Sequence, residues 1–209
     1  DEYMAIVNKP AGIIVSGNTF KTVFNSLPHN LKKSFEPDAL TSPTPVHRLD
    51  NQTSGLLLIA KTKTAQVELS KQFTNQTIQK KYCAIVIGKV HSNQTINSPI
   101  EDKNAETSFE IFRIVKSLKY KELSCLKVYP KTGRTHQIRI HLASIGHPIL
   151  GDKLYGNPET IHKGKGLFLA ASEIKFLHPK TFELLTIKID VPNKFHSLLN
   201  REKRRWNTY

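Results

Sequence analysis

The chain has 209 residues, of which 38% are hydrophobic and 23% are charged, and this balance favours a packed interior and excludes an intrinsically disordered chain. Its 31 Lys and Arg residues exceed its 17 Asp and Glu residues, which leaves a net charge of +14 and favours a polyanionic partner. No apolar run approaches the roughly 20 residues that cross a bilayer, and no secretory leader opens the chain, so we expect no membrane partner and a cytoplasmic location. The two cysteines, Cys83 and Cys125, lie in apolar stretches and are expected to be free thiols.

The amino-terminal part predicts two short strands and then a loop region. Residues 4–8 and 13–17 are apolar runs on either side of a Pro/Gly turn. Residues 18–45 contain four prolines and predict irregular structure, with one short helix near residues 23–27.

A buried strand and an amphipathic helix are predicted next. Residues 55–60 form a continuous apolar run, which is typical of a strand covered on both faces. Residues 61–77 carry Ala65, Leu69 and Phe73 at intervals of four, which predicts a surface helix with one buried stripe.

The remaining elements complete an α+β pattern. Further strands are predicted at residues 81–88, 109–115, 123–128, 166–171 and 184–191. Thr135 can cap a helix that ends before Gly146, with Arg139 off the centre of its buried stripe. Strands in meandering pairs with occasional helices predict an α+β fold with a mixed, largely antiparallel central sheet and flanking helices.

The strongest candidate for chemistry is the segment HRLDNQTSG at residues 47–55. It lies between the proline-rich loop and the buried strand, so Asp50 stands at a strand entrance where a cleft can form. An aspartate in such a place more often caps a turn, with Arg48 as a solvated partner. The residues alone therefore leave a catalytic and a structural interpretation open.

Five segments, in chain order, resemble the motifs of the RluA-type pseudouridine synthases. They are NKPAG at 8–12, HRLD at 47–50 followed by TSGLLLIAK at 53–61, KYCAIVIG at 81–88, GRTHQIRIHL at 133–142 and GHPILGDKLYG at 146–156. Because the similarity spans nearly the whole chain, it implies one catalytic domain over residues 1–209, with the pseudouridine synthase fold and a basic catalytic cleft.

The resemblance implies three catalytic residues. Asp50 matches the aspartate of the family's first motif and is expected to be the nucleophile. Tyr82 matches the tyrosine that stacks on the target base, and Arg139 matches the arginine that pairs with the aspartate.

The resemblance also implies RNA contacts. Arg48 is expected to enter the space left by a flipped nucleotide, and His47, Lys81 and Arg134 lie in the same motifs. Leu169 matches a residue that packs beneath the site. The family commonly has Leu-His-Ala at that place, whereas this chain has Leu-Ala-Ala, which puts local substrate contacts rather than catalysis in doubt.

The chemistry of the family fits these residue types. Isomerising uridine to pseudouridine transfers the ribose from a nitrogen to a carbon of uracil and consumes no electron or water, so we expect no cofactor and no metal. The reaction needs a carboxylate anion, which a neighbouring guanidinium would keep ionised and aligned. The expected partner is ribosomal or transfer RNA, bound by a monomer.

Two alternatives belong to other functional classes. The first is an RNA-binding module that keeps the fold and uses Asp50 only structurally. The second is a metal-dependent RNA hydrolase built on His136, His141 and His147. The spacing disfavours a metal site, because helical residues five apart point in different directions.

Overall fold

The computed structural model describes residues 1–157 and 164–208, and the chain divides into two compact units. The first unit comprises Asp1–Gln79 and Glu173–Ile189, and the second comprises Lys80–Ser172 and Asp190–Tyr209. In chain order, the elements of the described residues are β1 (Met4–Lys9), α1 (Val23–Asn30), β2 (Ala39–Pro45), β3 (Ser54–Thr62), α2 (Lys63–Thr74), β4 (Gln79–Ile87), β5 (Gln94–Ile96), β6 (Thr107–Ser117), β7 (Lys121–Pro130), α3 (Gln137–Ser144), β8 (Leu169–Leu177), β9 (Leu184–Lys188) and α4 (Asn193–Thr208).

The first unit is organised around β3. Strands β1 and β2 both pair antiparallel with β3, and β9 pairs antiparallel with the Glu173–Leu177 part of β8. All nine residues of β3 are buried, as its apolar sequence predicts. Helix α2 starts directly after β3, where the Thr62 side chain accepts a hydrogen bond from the backbone N–H of Ala65.

The second unit is built on the antiparallel order β4, β7, β6, β5. The Leu169–Ser172 part of β8 lies beside β4, where the Ser172 hydroxyl donates to the carbonyl oxygen of Lys81. Helix α4 contributes Phe195, Leu198 and Leu199 to the core of this unit. No helix of the described residues is long and apolar enough to cross a membrane.

The sequence-based α+β class and the largely antiparallel pairing are confirmed. Both cysteines are free, with Cys125 buried and Cys83 partly buried. The strand predicted at residues 13–17 is wrong, because only Ile14 forms an isolated bridge there. The capping prediction for Thr135 is also wrong, because His136 occupies the N-cap in a left-handed conformation without a side-chain cap bond.

Candidate active site

Asp50 lies on the loop between β2 and β3 of the first unit. Leu49 is only 5% exposed, whereas Arg48 on one side is exposed and Asp50 on the other is half-buried. The backbone N–H of Thr53 donates to the carbonyl oxygen of Asp50 over 3.0 Å, which closes a tight turn into β3. The buried leucine therefore fixes a loop whose flanking charged side chains remain accessible.

A buried lysine at the end of β1 fixes the backbone of this loop. Lys9 is fully buried, and its Nζ donates to the carbonyl oxygens of Pro10, Ile13 and Asn51 at 2.9, 2.7 and 3.2 Å. The backbone N–H of Gly12 donates to the same Asn51 oxygen at 2.8 Å. Because Asn51 follows Asp50, these bonds fix the backbone that carries the candidate nucleophile.

Lys9 and Asp50 also interact electrostatically. Burial lowers the pKa of Lys9 from the usual 10.5 to about 8, and the negative charge of Asp50 acts in the opposite direction. The Asp50 carboxylate therefore has a positive partner within its own unit.

His47 and Arg48 have different environments on the same loop. The Nε2 of His47 accepts a hydrogen bond from the Leu58 backbone N–H at 3.0 Å, and its ring lies 4.7 Å from the ring of Phe73, measured between centroids. His47 thus joins the loop to β3 and α2. Arg48, in contrast, borders an open depression of about 410 Å³ that Val15 and other residues of the first unit also line.

The second unit contains a buried ion pair between α3 and the loop after it. The Nε and Nη2 of Arg139 donate to the two carboxylate oxygens of Asp152 at 2.7 and 2.8 Å. Their side chains are 7% and 0% exposed, so the pair is shielded from water. Asp152 also accepts hydrogen bonds from the backbone N–H groups of Leu154 and Tyr155 at 2.9 and 3.2 Å.

Together, the hydrogen bonds and the charge near Asp152 lower its pKa by more than burial raises it. Burial alone would raise the pKa of this carboxyl, but the hydrogen bonds from Arg139 and from the two backbone N–H groups, together with the guanidinium charge, hold the pKa below the usual value. Asp152 therefore stays ionised and fixes the plane of the guanidinium. Tyr155 lies on this cation, with its ring centroid 5.1 Å from the Arg139 Cζ.

Gln137 organises the loop that precedes α3. Its Oε1 accepts from the hydroxyl of Thr132 and from the backbone N–H of Arg134, at 2.6 and 2.9 Å. Its Nε2 donates to the carbonyl oxygen of Glu106 and to the hydroxyl of Thr107, both at 2.9 Å. The exposed Arg134 is held further by its Nε, which donates to the carbonyl oxygen of Asn104 at 3.0 Å.

The three histidines of the hydrolase hypothesis make protein contacts. His141 is fully buried, and its two ring nitrogens lie 2.9 Å from the Thr107 hydroxyl and from the Ser98 carbonyl oxygen. The Nδ1 of His136 lies 3.0 Å from the Tyr155 hydroxyl, and the Nδ1 of His147 lies 3.1 Å from the Ile87 carbonyl oxygen. These contacts give the histidines structural roles in the second unit.

The remaining predicted site residues lie on the strands of the second unit. Tyr82 is partly buried on β4 and faces Val128 of β7 in the strand register, and Lys81 precedes it. Leu169 is 3% exposed in the core, so it can act on a bound nucleotide only through packing. The pairing of Arg139 with Asp50, which belongs to the first unit, stays a prediction.

Sequence reasoning gives no role to Lys9 or Asp152, although both lie in segments that carry the family resemblance. Their position inside these segments is the signal that could have pointed to them. Gln137 is likewise missed, because a buried amide with four partners leaves no periodic pattern.

Comparison with known proteins identifies the family of the chain. A family model described as RNA pseudouridylate synthase matches residues 3–144, which is more than half of the chain. The chain belongs to the RNA pseudouridylate synthase family. This synthase is therefore an RNA-modifying isomerase, and the resemblance to the RluA-type enzymes is confirmed.

Related synthases match over most of their sequence. A protein of Aquifex aeolicus (strain VF5) named as an uncharacterized RNA pseudouridine synthase is 34% identical over 95% of this chain and 70% of its own length. The ribosomal large subunit pseudouridine synthase C of Buchnera aphidicola is 35% identical over 96% of this chain and 68% of its own length.

A solved structure supports the fold. The human RNA pseudouridylate synthase domain containing 1 protein superposes with a TM-score of 0.74 at 23% identity, and the match covers 92% of this chain and 81% of that one. The expected pseudouridine synthase fold is thereby confirmed.

Proposed function

We propose that this synthase isomerises specific uridines of ribosomal or transfer RNA and that Asp50 is its nucleophile. The observation that carries the proposal is the contrast between two aspartates in the family motifs. Asp152 is fully buried and ion-paired with Arg139 inside the second unit, whereas Asp50 is half-buried on a loop that Lys9 and Gly12 fix through Asn51. A reactive carboxylate needs this combination of a fixed backbone and an accessible side chain. The ribosomal names of several relatives support ribosomal RNA as the substrate.

The proposed reaction is balanced without any other reagent. The bond between C1′ of the ribose and N1 of uracil breaks, the base turns, and a new bond joins C1′ to C5. The proton at C5 leaves, and N1 gains a proton. In the proposal, the Asp50 carboxylate forms the transient bond, at the sugar or at the uracil ring. The proposed reaction needs neither a cofactor nor a metal. The proposed enzyme is a cytoplasmic monomer with one catalytic domain over residues 1–209.

The target base must leave its stack before this reaction can begin. Extruding a nucleotide costs a few kcal/mol, and stacking on an aromatic side chain returns about 1 to 3 kcal/mol. In the proposal, Tyr82 supplies the stacking surface and Arg48 enters the space that the base leaves. His47, Lys81 and Arg134 support RNA binding, and Leu169 packs beneath the base.

Arg139 is proposed to orient the nucleophile. Its bidentate pair with Asp152 uses two of the five N–H donors of a guanidinium, so the pair is compatible with a second carboxylate partner. Asp152 would then act as a positioning residue, since it fixes the plane in which Arg139 presents its other donors.

Tritium release from RNA labelled at C5 of uridine tests the role of Asp50, because isomerisation expels the hydrogen at that carbon. Large-subunit ribosomal RNA and transfer RNA transcripts serve as substrates. We expect release by the wild type and none by Asp50→Asn. Asp102→Asn is a matched control, because Asp102 is exposed and has a φ of 58°, a conformation that asparagine tolerates.

The outcomes separate the parts of the proposal. Release by Asp50→Asn at the wild-type rate would exclude Asp50 as the nucleophile. Release by the wild type from neither RNA would exclude both proposed substrates. RNA binding by the wild type without any release would instead favour the binding-module alternative.

A further inference from the structure

A basic depression lies between α4 and β6 in the second unit, and it shares no lining residue with the candidate active site. Its volume is about 310 Å³, and it is called here the α4–β6 pocket. Its lining residues are Arg113, Ile114, Val115, Lys116, Lys203, Trp206 and Asn207. This volume is at the lower end of the range for small-ligand sites, so the pocket suits a single small group.

A buried hydrogen bond fixes the two walls of the pocket. The Ser117 hydroxyl at the end of β6 donates to the carboxylate of Glu202 on α4 at 2.6 Å, and Glu202 is only 3% exposed. Arg201 offsets the charge of Glu202 through Nη2 at 3.2 Å. Because the helix is joined to the strand by buried groups, the surface beside them is formed before any ligand arrives.

The charge of the pocket suits an anion. Its lining contains three basic side chains, Arg113, Lys116 and Lys203, and no acidic one. Glu122, which does not line the pocket, is opposite Lys116 in the strand register. The exposed Arg204 and Arg205 continue the basic surface along α4.

The pocket also contains an aromatic surface. Trp206 is 40% exposed, so part of its ring surface is accessible from solvent. The Nζ of Lys116 lies 4.9 Å from the centroid of its ring, so a cation and an aromatic plane are adjacent. Asn207, which follows in the helix, adds an amide that can both donate and accept hydrogen bonds.

We propose that the α4–β6 pocket binds an unpaired nucleotide of the substrate RNA, whose base stacks on Trp206 while Arg113, Lys116 and Lys203 contact the phosphates on either side. Aromatic rings beside basic side chains are the usual means of holding single-stranded nucleic acid. A paired base would have its faces covered by its neighbours, so the pocket selects single strands over duplexes. The inference rests on the proposed function in one respect, namely that the partner is RNA, and it adds a second contact that holds the substrate outside the reacting nucleotide.

The tryptophan supplies its own signal, because Trp206 is the only tryptophan in the chain. Stacking of a base on an indole ring quenches its fluorescence, so titration of the full chain with a ten-residue oligouridylate should give saturable quenching. A fully paired RNA duplex of the same length should quench less at equal concentration. Absence of quenching by the oligouridylate would overturn the proposal.

Charge removal tests the phosphate contacts while keeping the fluorophore. The triple variant Arg113→Gln/Lys116→Gln/Lys203→Gln loses three candidate contacts, so the slope of log affinity against log salt should become shallower by about 2. Between about 50 and 200 mM salt, the wild type should then lose roughly 20-fold more affinity than the variant. The matched control is Lys21→Gln/Lys32→Gln/Lys33→Gln, which removes the same charge from exposed positions of the first unit. Equal changes in both triple variants would overturn the proposal, because the effect would then be one of net charge alone.

Substitution of the ring tests the stacking. With a fluorescein-labelled oligouridylate and anisotropy as the signal, Trp206→Ala should weaken binding roughly 5- to 150-fold, whereas Trp206→Phe should retain most of the affinity. Inorganic polyphosphate has charge but no base. Equal affinity of polyphosphate and oligouridylate would show a simple polyanion surface and overturn the nucleotide assignment.

The same measurements separate this inference from the proposed function. Asp50→Asn should quench as the wild type does while releasing no tritium. The triple pocket variant should still release tritium, but with a raised KM and an unchanged kcat. Quenching without any tritium release by the wild type would refute the proposed function alone, and tritium release without quenching would refute this inference alone.

Discussion

Replacing Asp152 by asparagine should strongly destabilise the protein. The asparagine side chain has nearly the shape of the native one, but it would present an N–H₂ group where the guanidinium of Arg139 needs an acceptor. Arg139, whose side chain is 7% exposed, would then be a buried cation without its carboxylate. We therefore expect a loss of unfolding free energy and a lowered activity through misplaced Arg139.

The size of the effect follows from burial. Removing one member of a buried ion pair costs about 3 to 5 kcal/mol, whereas exposed pairs contribute about 1 kcal/mol or less. Asp152 is 0% exposed at its side chain and receives two hydrogen bonds from Arg139 and two from the backbone, so the buried estimate applies. Since the total stability of a domain is about 5 to 15 kcal/mol, the variant should remain folded but with a clearly lower urea midpoint.

The assay is urea unfolding at pH 7, followed by circular dichroism. The double variant Arg139→Met/Asp152→Leu should lose less stability than Asp152→Asn, because no charge is then left unpaired. The pKa of Asp152 is lower in the folded state than in the unfolded state, so its contribution is present above about pH 4 and disappears as the pH falls through the folded value. The difference between wild type and Asp152→Asn should therefore shrink in acid. A loss below about 1 kcal/mol at pH 7 would refute the reasoning, since the pair would then behave as an exposed one.

Other consequences concern the buried lysine, a close backbone contact and a helix cap. Burial lowers the pKa of Lys9 from 10.5 to about 8, so between these pH values the unfolded chain binds more protons than the folded one. In urea titrations, the stability of the wild type relative to Lys9→Met should therefore rise by about 3 kcal/mol from pH 8 to pH 10.5. In Gly156→Ala the new Cβ would lie 2.3 Å from the backbone oxygen of Asp152, so the free energy of unfolding, measured by thermal unfolding, should fall by about 1 to 3 kcal/mol. Gly133→Ala is the control, because no atom lies within 4 Å of its Cβ, and its stability should change little. Thr62→Val removes the hydroxyl that caps α2 and should cost about 1 kcal/mol in urea unfolding, while Thr62→Ser, which keeps it, should cost less.

The parts of the fold that the sequence predicts are those with a strong local pattern. Strand β3 has nine buried residues in a row, and α2 buries Ala65 and Leu69 at the predicted interval. Strand β2 is not predicted, because Pro43 and Pro45 indicate irregular structure there. It tolerates prolines because its register with β3 shifts before Thr44, and prolines are compatible with such irregular pairing.

Helix α4 at the carboxyl end is not predicted from the sequence, because charged residues interrupt its hydrophobic pattern. The run of basic residues after residue 200 hides the pattern of Phe195, Leu198 and Leu199, whose spacing is that of a buried helical stripe. Glu202 continues the stripe, and a pattern based on hydrophobicity alone ends one turn too early there. Its burial depends on Ser117, 85 residues earlier, and no local rule can predict such a partner.

The candidate site shows the same division between local and distant information. The motifs that contain Asp50 and Arg139 can be recognised in the sequence, but the residues that hold them in place cannot. Lys9 binds a carbonyl oxygen 42 residues away, and Asp152 lies 13 residues after Arg139. These supports differ in what they hold. Lys9 binds backbone oxygens beside a half-buried Asp50, whereas Asp152 is occupied through both of its own oxygens and is shielded from water. The residue type alone therefore does not distinguish the two aspartates, because their burial and the groups that hold them depend on partners far away along the chain.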